Sequence, residues 1–506
     1  MKKFIVCLLA LTFLLSGCRS FEEKIDGTQI KLSDSKITVD GKEITNDNTQ
    51  AVYSANDIIF YLAGQDFTYG EGESQDEHEQ SEADAHTVVH ITKPGRYVLS
   101  GKLSLGQIAV DLGEEAEDDP QAVVTLILNG VDITCEVAPA IIFYNVYECS
   151  SSDEETATKD VDTSKAGANV IIADSTENNI NGSYVAKIYK SYELSEDGTE
   201  VVDSKKLHKY DGAFYSKKTM NIKGGDQGDG VLNIKAENEG LNSELHLTIN
   251  GGIINITSGN DGINTNEDNV SVTTVNGGEL NIICDGGTLE GDGIDSNGWL
   301  VINGGTVTAQ ACSTSGDAGI DSDKGIYING GKVIASGNML DRIAGGSQTY
   351  VVFSFANAQK GNNTYTLKNS DDTVVSQCAP VNDFTYLIIA DDQLLPGDYT
   401  FWQNETQLSS GQAKNMQGGM PQGEKPEMPN GEEGTPPEIP EGMERPEKPD
   451  GQHPQGERPE MPEGMTPPDN KGKEWGENIA PSGEASTTFT IKEGENQFFG
   501  VGQTTD

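Results

Sequence analysis

Cationic residues are scarce in this chain: 34 Lys and Arg stand against 81 Asp and Glu, for a net charge of −47. Such a chain repels nucleic acid and anionic lipid, and its acidity draws divalent cations instead. It would need those cations to approach an acidic polymer. Paired cysteines are also lacking. Apart from Cys7 and Cys18 near the start, Cys135, Cys149, Cys284, Cys312 and Cys378 are odd in number and show no metal-like spacing. They suit buried small hydrophobes better than a disulfide framework. No Ser/His/Asp arrangement stands out. After residue 15 no stretch is apolar enough to span a bilayer.

What the N-terminus does hold is a short positive region, Lys2 and Lys3, followed by an apolar run from Phe4 to Leu15. That run is too short to span a membrane and reads as a secretory signal. Leu15-Ser16-Gly17-Cys18 resembles the bacterial lipobox. The resemblance implies cleavage after residue 17, diacylation of Cys18, and display on the extracellular face of a bacterial envelope.

The middle of the chain repeats. Leu247-Thr248-Ile249-Asn250-Gly251-Gly252 returns as Leu300-Val301-Ile302-Asn303-Gly304-Gly305 and as Ile326-Tyr327-Ile328-Asn329-Gly330-Gly331. Further copies end at Gly278 and Gly225. The position before Gly-Gly falls at 223, 250, 276, 303 and 329, in steps of 27, 26, 27 and 26. Each step holds three very short strand-like runs, none able to bury its own core, so stacked periods must share one. This predicts an all-β parallel β-helix over 90–346, with coils of about 26 residues. The repeated Asn is expected to form a ladder at the turn.

Residues 18–89 read as an N-terminal linker or cap carrying an acidic loop, and 148–168 and 184–210 as excursions. Beyond 346 the period stops, and strand-like runs indicate a small β module over 347–506. The module would cover the end of the coils, which otherwise leaves an open sheet edge. Its Pro/Glu/Gly-rich insertion, 416–484, has too few apolar residues to fold.

The third run of each repeat carries the chemistry. Aligned on Gly-Ile, the repeats read Gly262-Ile263-Asn264-Thr265-Asn266, Gly293-Ile294-Asp295-Ser296-Asn297 and Gly319-Ile320-Asp321-Ser322-Asp323. Alternation sends Ile and Ser inward and turns Asp295 with Asn297, and Asp321 with Asp323, outward. Coils about 4.8 Å apart would stack Asp295 on Asp321, a repulsion of roughly 3.5 kcal/mol at an effective dielectric near 20. Oxygen-only ligands favour a hard cation, and Ca2+ bridging stacked carboxylates fits that spacing. Asp261, Asp292 and Asp285 could supply a further site, and a merely solvated acidic face is the plainer reading.

A calcium-dependent polysaccharide lyase would need a base beside such a metal, and Lys324, following Asp323, is the candidate. A lysine among carboxylates is more often a counter-ion. Trp299 and Tyr327 lie near the same coils, where an exposed aromatic can stack on a sugar ring or pack on a loop.

Through Gly95-Arg96-Tyr97, Leu126-Ile127-Leu128-Asn129-Gly130-Val131, Asp211-Gly212-Ala213-Phe214-Tyr215-Ser216-Lys217 and the repeats above, residues 90–345 resemble a family of secreted carbohydrate-binding β-helix proteins of Gram-positive anaerobes. The resemblance implies a right-handed, polysaccharide-lyase-like β-helix with bound calcium and affinity for plant cell-wall polysaccharide, including acidic pectin. Three functions stay open. The first is calcium-dependent polysaccharide binding by a monomeric, lipid-anchored surface protein. The second is a lyase at the same ladder, and the third a structural adhesion spacer.

Overall fold

The computed structural model describes residues 25–411 and 485–503. The expected signal peptide 1–17, Cys18 and the insertion 416–484 lie outside them. The described chain is all-β: its helices are one turn at Gln80–Asp84 and a 3-10 turn at Glu114–Asp118.

Strands from successive repeats stack in parallel into three columns. In the first, Met220 pairs with Leu247, Leu247 with Thr273, Thr273 with Leu300 and Leu300 with Ile326. These steps reproduce the spacing of the sequence repeat. The second column runs through Val231–Ala236, Ile253–Ser258, Glu279–Cys284, Thr306–Gln310 and Lys332–Gly337. The third runs from Thr87–Ile91 through Gly212–Ser216 and Glu239–Ser243 to Ile294–Ser296. Alternate side chains of all three columns, such as Ile256, Ile302 and Ile294, enter one continuous apolar core.

The Asn-Gly-Gly turn follows from close stacking. The second glycine of each of the four Asn-Gly-Gly copies has a left-handed φ, +94° at Gly252, +90° at Gly278, +82° at Gly305 and +86° at Gly331. A Cβ on Gly331 would also lie 2.6 Å from the carbonyl oxygen of Gly305 one repeat earlier. The asparagines do form a ladder: Asn276 donates to Asn250, Asn303 to Asn276 and Asn329 to Asn303 at 2.9, 2.9 and 2.8 Å. A second ladder, not anticipated, links Asn179, Asn233, Asn255 and Asn281 on the outer face of the second column.

The segment 18–89 contributes strands of its own among the described residues. Thr28–Leu32 adds in parallel to Gly95–Leu103, so the first column begins upstream of residue 90, and Val52–Ala55 pairs antiparallel with Thr87–Ile91. The 184–210 excursion is an antiparallel hairpin, Val185–Leu194 with Val201–Tyr210. Its Tyr210 packs edge-on or tilted against Tyr144 and Tyr215. At the other end, Phe384–Ala390 pairs antiparallel with Lys332–Gly337 and with Tyr350–Gln359. The module has a separate aromatic core, in which Phe353 stacks on Phe401 at 3.9 Å.

Candidate functional site

The outer row of the third column changes character along its length. The paired positions run Ile142, Tyr215, Asn242, Asn264 and Asp295. Tyr215 is covered by Tyr210 of the hairpin. Inward neighbours Thr265 and Ser296 share a hydroxyl hydrogen bond of 2.8 Å, and Ser296 donates to the Trp299 carbonyl. These bonds satisfy the small polar groups under the row.

Residues 318–323 continue this row without being a regular strand. The Asp321 amide donates to the Ile294 carbonyl at 2.7 Å and the Asp323 amide to that of Ser296 at 3.2 Å. Asp321 is thereby set one layer beyond Asp295. Burial, reinforced by neighbouring carboxylates, pushes Asp295 up to about 6 and Asp321 up to about 7. Asp323 is raised by burial and then by Asp268 and Asp341. Asp341, whose carboxylate accepts from the Ser322 amide at 3.1 Å, also opposes ionisation of Asp321. Residue spacing missed Asp341 because the next step of the first column, Ile326 to Ile343, is shortened.

A second file of acids sits at the corner entering the third column. Glu239, Asp261 and Asp292 each stand two residues before a buried apolar residue: Leu241, Ile263 and Ile294. The recurring acid-Gly-Leu/Ile pattern, Glu239-Gly240-Leu241 in the sequence, extends the aligned series to Glu239. Asp261 accepts the Asp292 amide at 2.7 Å, and Asp292 accepts the Ala318 amide at 2.5 Å. These two carboxylates therefore also hold successive repeats together. Burial and then neighbouring acids drive Glu239 and Asp261 far above the carboxylate range, and burial pushes Asp292 up to about 8. Asn264 donates to Glu239 at 2.9 Å, while its buried Oδ1 has no partner.

The remaining candidates have further partners. Asp285 lines an 860 Å³ groove with Thr134, Asn181, Tyr184 and Lys235, and caps its own loop by accepting from the Gly287 amide. Asn297 is committed to Asp268 and to the Asn266 carbonyl. The Lys324 ammonium, expected beside the ladder, favours ionisation of Asp323 and also lies 3.9 Å from Glu154 and 5.1 Å over the Trp299 ring. Trp299 and Tyr327 are first-column residues, and Lys159 stands over the Tyr327 ring. Neither aromatic is free of a loop or lysine.

A hard cation suits this donor set in kind, because the ladder offers oxygen alone and leaves the Asn264 Oδ1 unsatisfied. Among the described residues, no group of three or more His, Cys, Asp or Glu converges as a metal site. Calcium takes six to eight oxygens. The protein's own share here would thus be partial.

A family model described as carbohydrate-binding domain-containing protein matches residues 85–390, which include every column position discussed above from Thr87 onward. A solved structure, the polysaccharide lyase-like protein from C. thermocellum in a gadolinium derivative, is 19% identical, covering 63% of this chain and 99% of that one at a TM-score of 0.31. No curated relative matches.

Proposed function

We propose a function from one premise: the chain belongs to the family of carbohydrate-binding domain-containing proteins. The three columns are read as the faces of a right-handed parallel β-helix, and the protein as one that binds an acidic polysaccharide through Ca2+. The observation that carries this reading is the stacking of Asp295 and Asp321 in successive layers, Asp295 raised by burial and then by Asp323, and Asp321 by burial and then by Asp341 and Asp295. The stacked pair Asp295 and Asp321 would hold the ion, with Asp323 and Asn264 nearby. Bound there, calcium supplies positive charge that cancels the ladder's repulsion and attracts a sugar carboxylate. Its incomplete protein shell leaves positions for water and for that carboxylate. Lipid anchoring through Cys18 at the cell surface completes the proposed role.

The test is pull-down of polygalacturonate with the folded chain in calcium or in EDTA. We expect retention in calcium, loss in EDTA, and at least tenfold weaker retention by Asp295→Asn/Asp321→Asn. Equal retention under all three conditions would reject the ladder as the binding site.

A further inference from the structure

The outer side of the first column carries a second surface, unlike the carboxylate ladder in charge and chemistry. Asn250, Asn276, Asn303 and Asn329 are all exposed and follow one another at one per repeat. A carboxamide has two N–H donors and two acceptor lone pairs. The ladder uses one donor and one acceptor of Asn276 and of Asn303, so each keeps one of both. Asn250 keeps both donors and Asn329 both lone pairs among the described residues. This unspent capacity recurs at about the coil spacing of 4.8 Å, roughly the length of one sugar ring.

These amides border a groove of 480 Å³. Its floor is formed by Thr248, Thr274 and Val301, the outer row of the first column, and its far wall by residues 159–164. The wall is fastened at one end, where Thr163 and Thr248 share a buried hydroxyl hydrogen bond of 2.8 Å and Asn221 donates to the Thr163 carbonyl at 2.7 Å. Lys159 lies over Tyr327 at the other end, 5.2 Å from the ring centre. The wall bears two acids, Asp160 and Asp162, against the single Lys159. Lys159 pairs with Asp160 at 2.6 Å, and hydrogen bonds from Ser164 hold Asp162 below the usual carboxylate range. Lys165, just beyond the wall, also acts on Asp162, so acids and lysines balance here and no excess positive charge is left to hold a uronate.

We infer that this groove binds an uncharged, hydroxyl-rich polysaccharide chain running across the repeats, with about one ring per repeat. Each ring's hydroxyls accept from one free amide N–H and donate to the next free carbonyl. The inference rests on the carbohydrate-binding reading but on a different face from the carboxylate ladder, and it requires no calcium.

Titration calorimetry of the full chain in EDTA with xylohexaose and cellohexaose tests it. We expect binding of at least one of these, weakened tenfold or more by Asn276→Ala/Asn303→Ala. Thr274→Tyr, which fills the floor without touching the ladder, should weaken it equally, and melting curves establish that both variants fold. Asn255→Ala, in the second-column ladder, should bind like the parent. Calcium-dependent polygalacturonate retention should survive in all three. No binding of either hexasaccharide in EDTA, unchanged binding by the folded groove variants, or equal loss in Asn255→Ala would each overturn the inference. Loss of polygalacturonate retention alone would instead count against the carboxylate ladder.

Discussion

Asp295, Asp321 and Asp292 are held in a state that costs stability at neutral pH. Their folded-state values of about 6, 7 and 8 lie above the ordinary aspartate value of 3.8. Between those limits the folded chain binds more protons than the unfolded one, so stability falls as pH rises. The contribution is fully present below about pH 4 and is lost as pH climbs through 6 to 8. In EDTA we expect a melting midpoint about 3 °C or more higher at pH 5 than at pH 8. Asp295→Asn/Asp321→Asn should reduce that slope, because the repelling pair no longer ionises. Calcium should do the same in the parent by stabilising the ionised form. A midpoint that rises with pH in EDTA would mean the ladder is solvated and unstrained.

At the scale of the element, the Asn-Gly-Gly turn asks for an amide that bonds along the stack and a second glycine in the left-handed region; in the later copies the first glycine is crowded too, a Cβ on Gly304 or Gly330 lying 2.9 or 2.8 Å from a carbonyl oxygen. At Gly305, φ is +82° and a Cβ would lie 2.7 Å from the Gly278 carbonyl oxygen. Gly305→Ala should cost at least about 1–2 kcal/mol from the left-handed backbone alone, more once the clash is counted, as read by urea unfolding. A cost near zero would show that the layers can part locally. Because the bonding amide and the left-handed glycine recur in each Asn-Gly-Gly copy, the period, the strand alternation and the stacking of Asp321 on Asp295 were legible in the sequence. Features set by tertiary contact were not. Nothing local announces that Thr163 docks on Thr248, or that the hairpin ending at Tyr210 covers Tyr215. Lys324 stands beside Asp323 as the sequence indicates, but its second partner Glu154 lies on an excursion whose course the period does not describe.

For the whole molecule, stacked strands raise the problem of where stacking ends. The last second-column strand, Lys332–Gly337, would offer unpaired amides and carbonyls to another chain. Phe384–Ala390 pairs with it antiparallel, and Ile334 on its outer side joins the module's aromatic core. The capping strand is gripped from its other edge by Tyr350–Gln359, whose Phe353 stacks on Phe401. Removing the fully buried Phe401 ring should therefore loosen the cap as well as the module. We expect Phe401→Ala to lose about 3–5 kcal/mol and to form concentration-dependent oligomers by size-exclusion chromatography with light scattering. Ile302→Ala provides the contrast: it empties a comparable volume inside the columns, should cost about 2–5 kcal/mol, and leaves the capped edge untouched. It should remain the size of the parent. If both variants associate equally, instability alone drives association. If only Phe401→Ala does, the module's role as an edge cap is established apart from its contribution to stability.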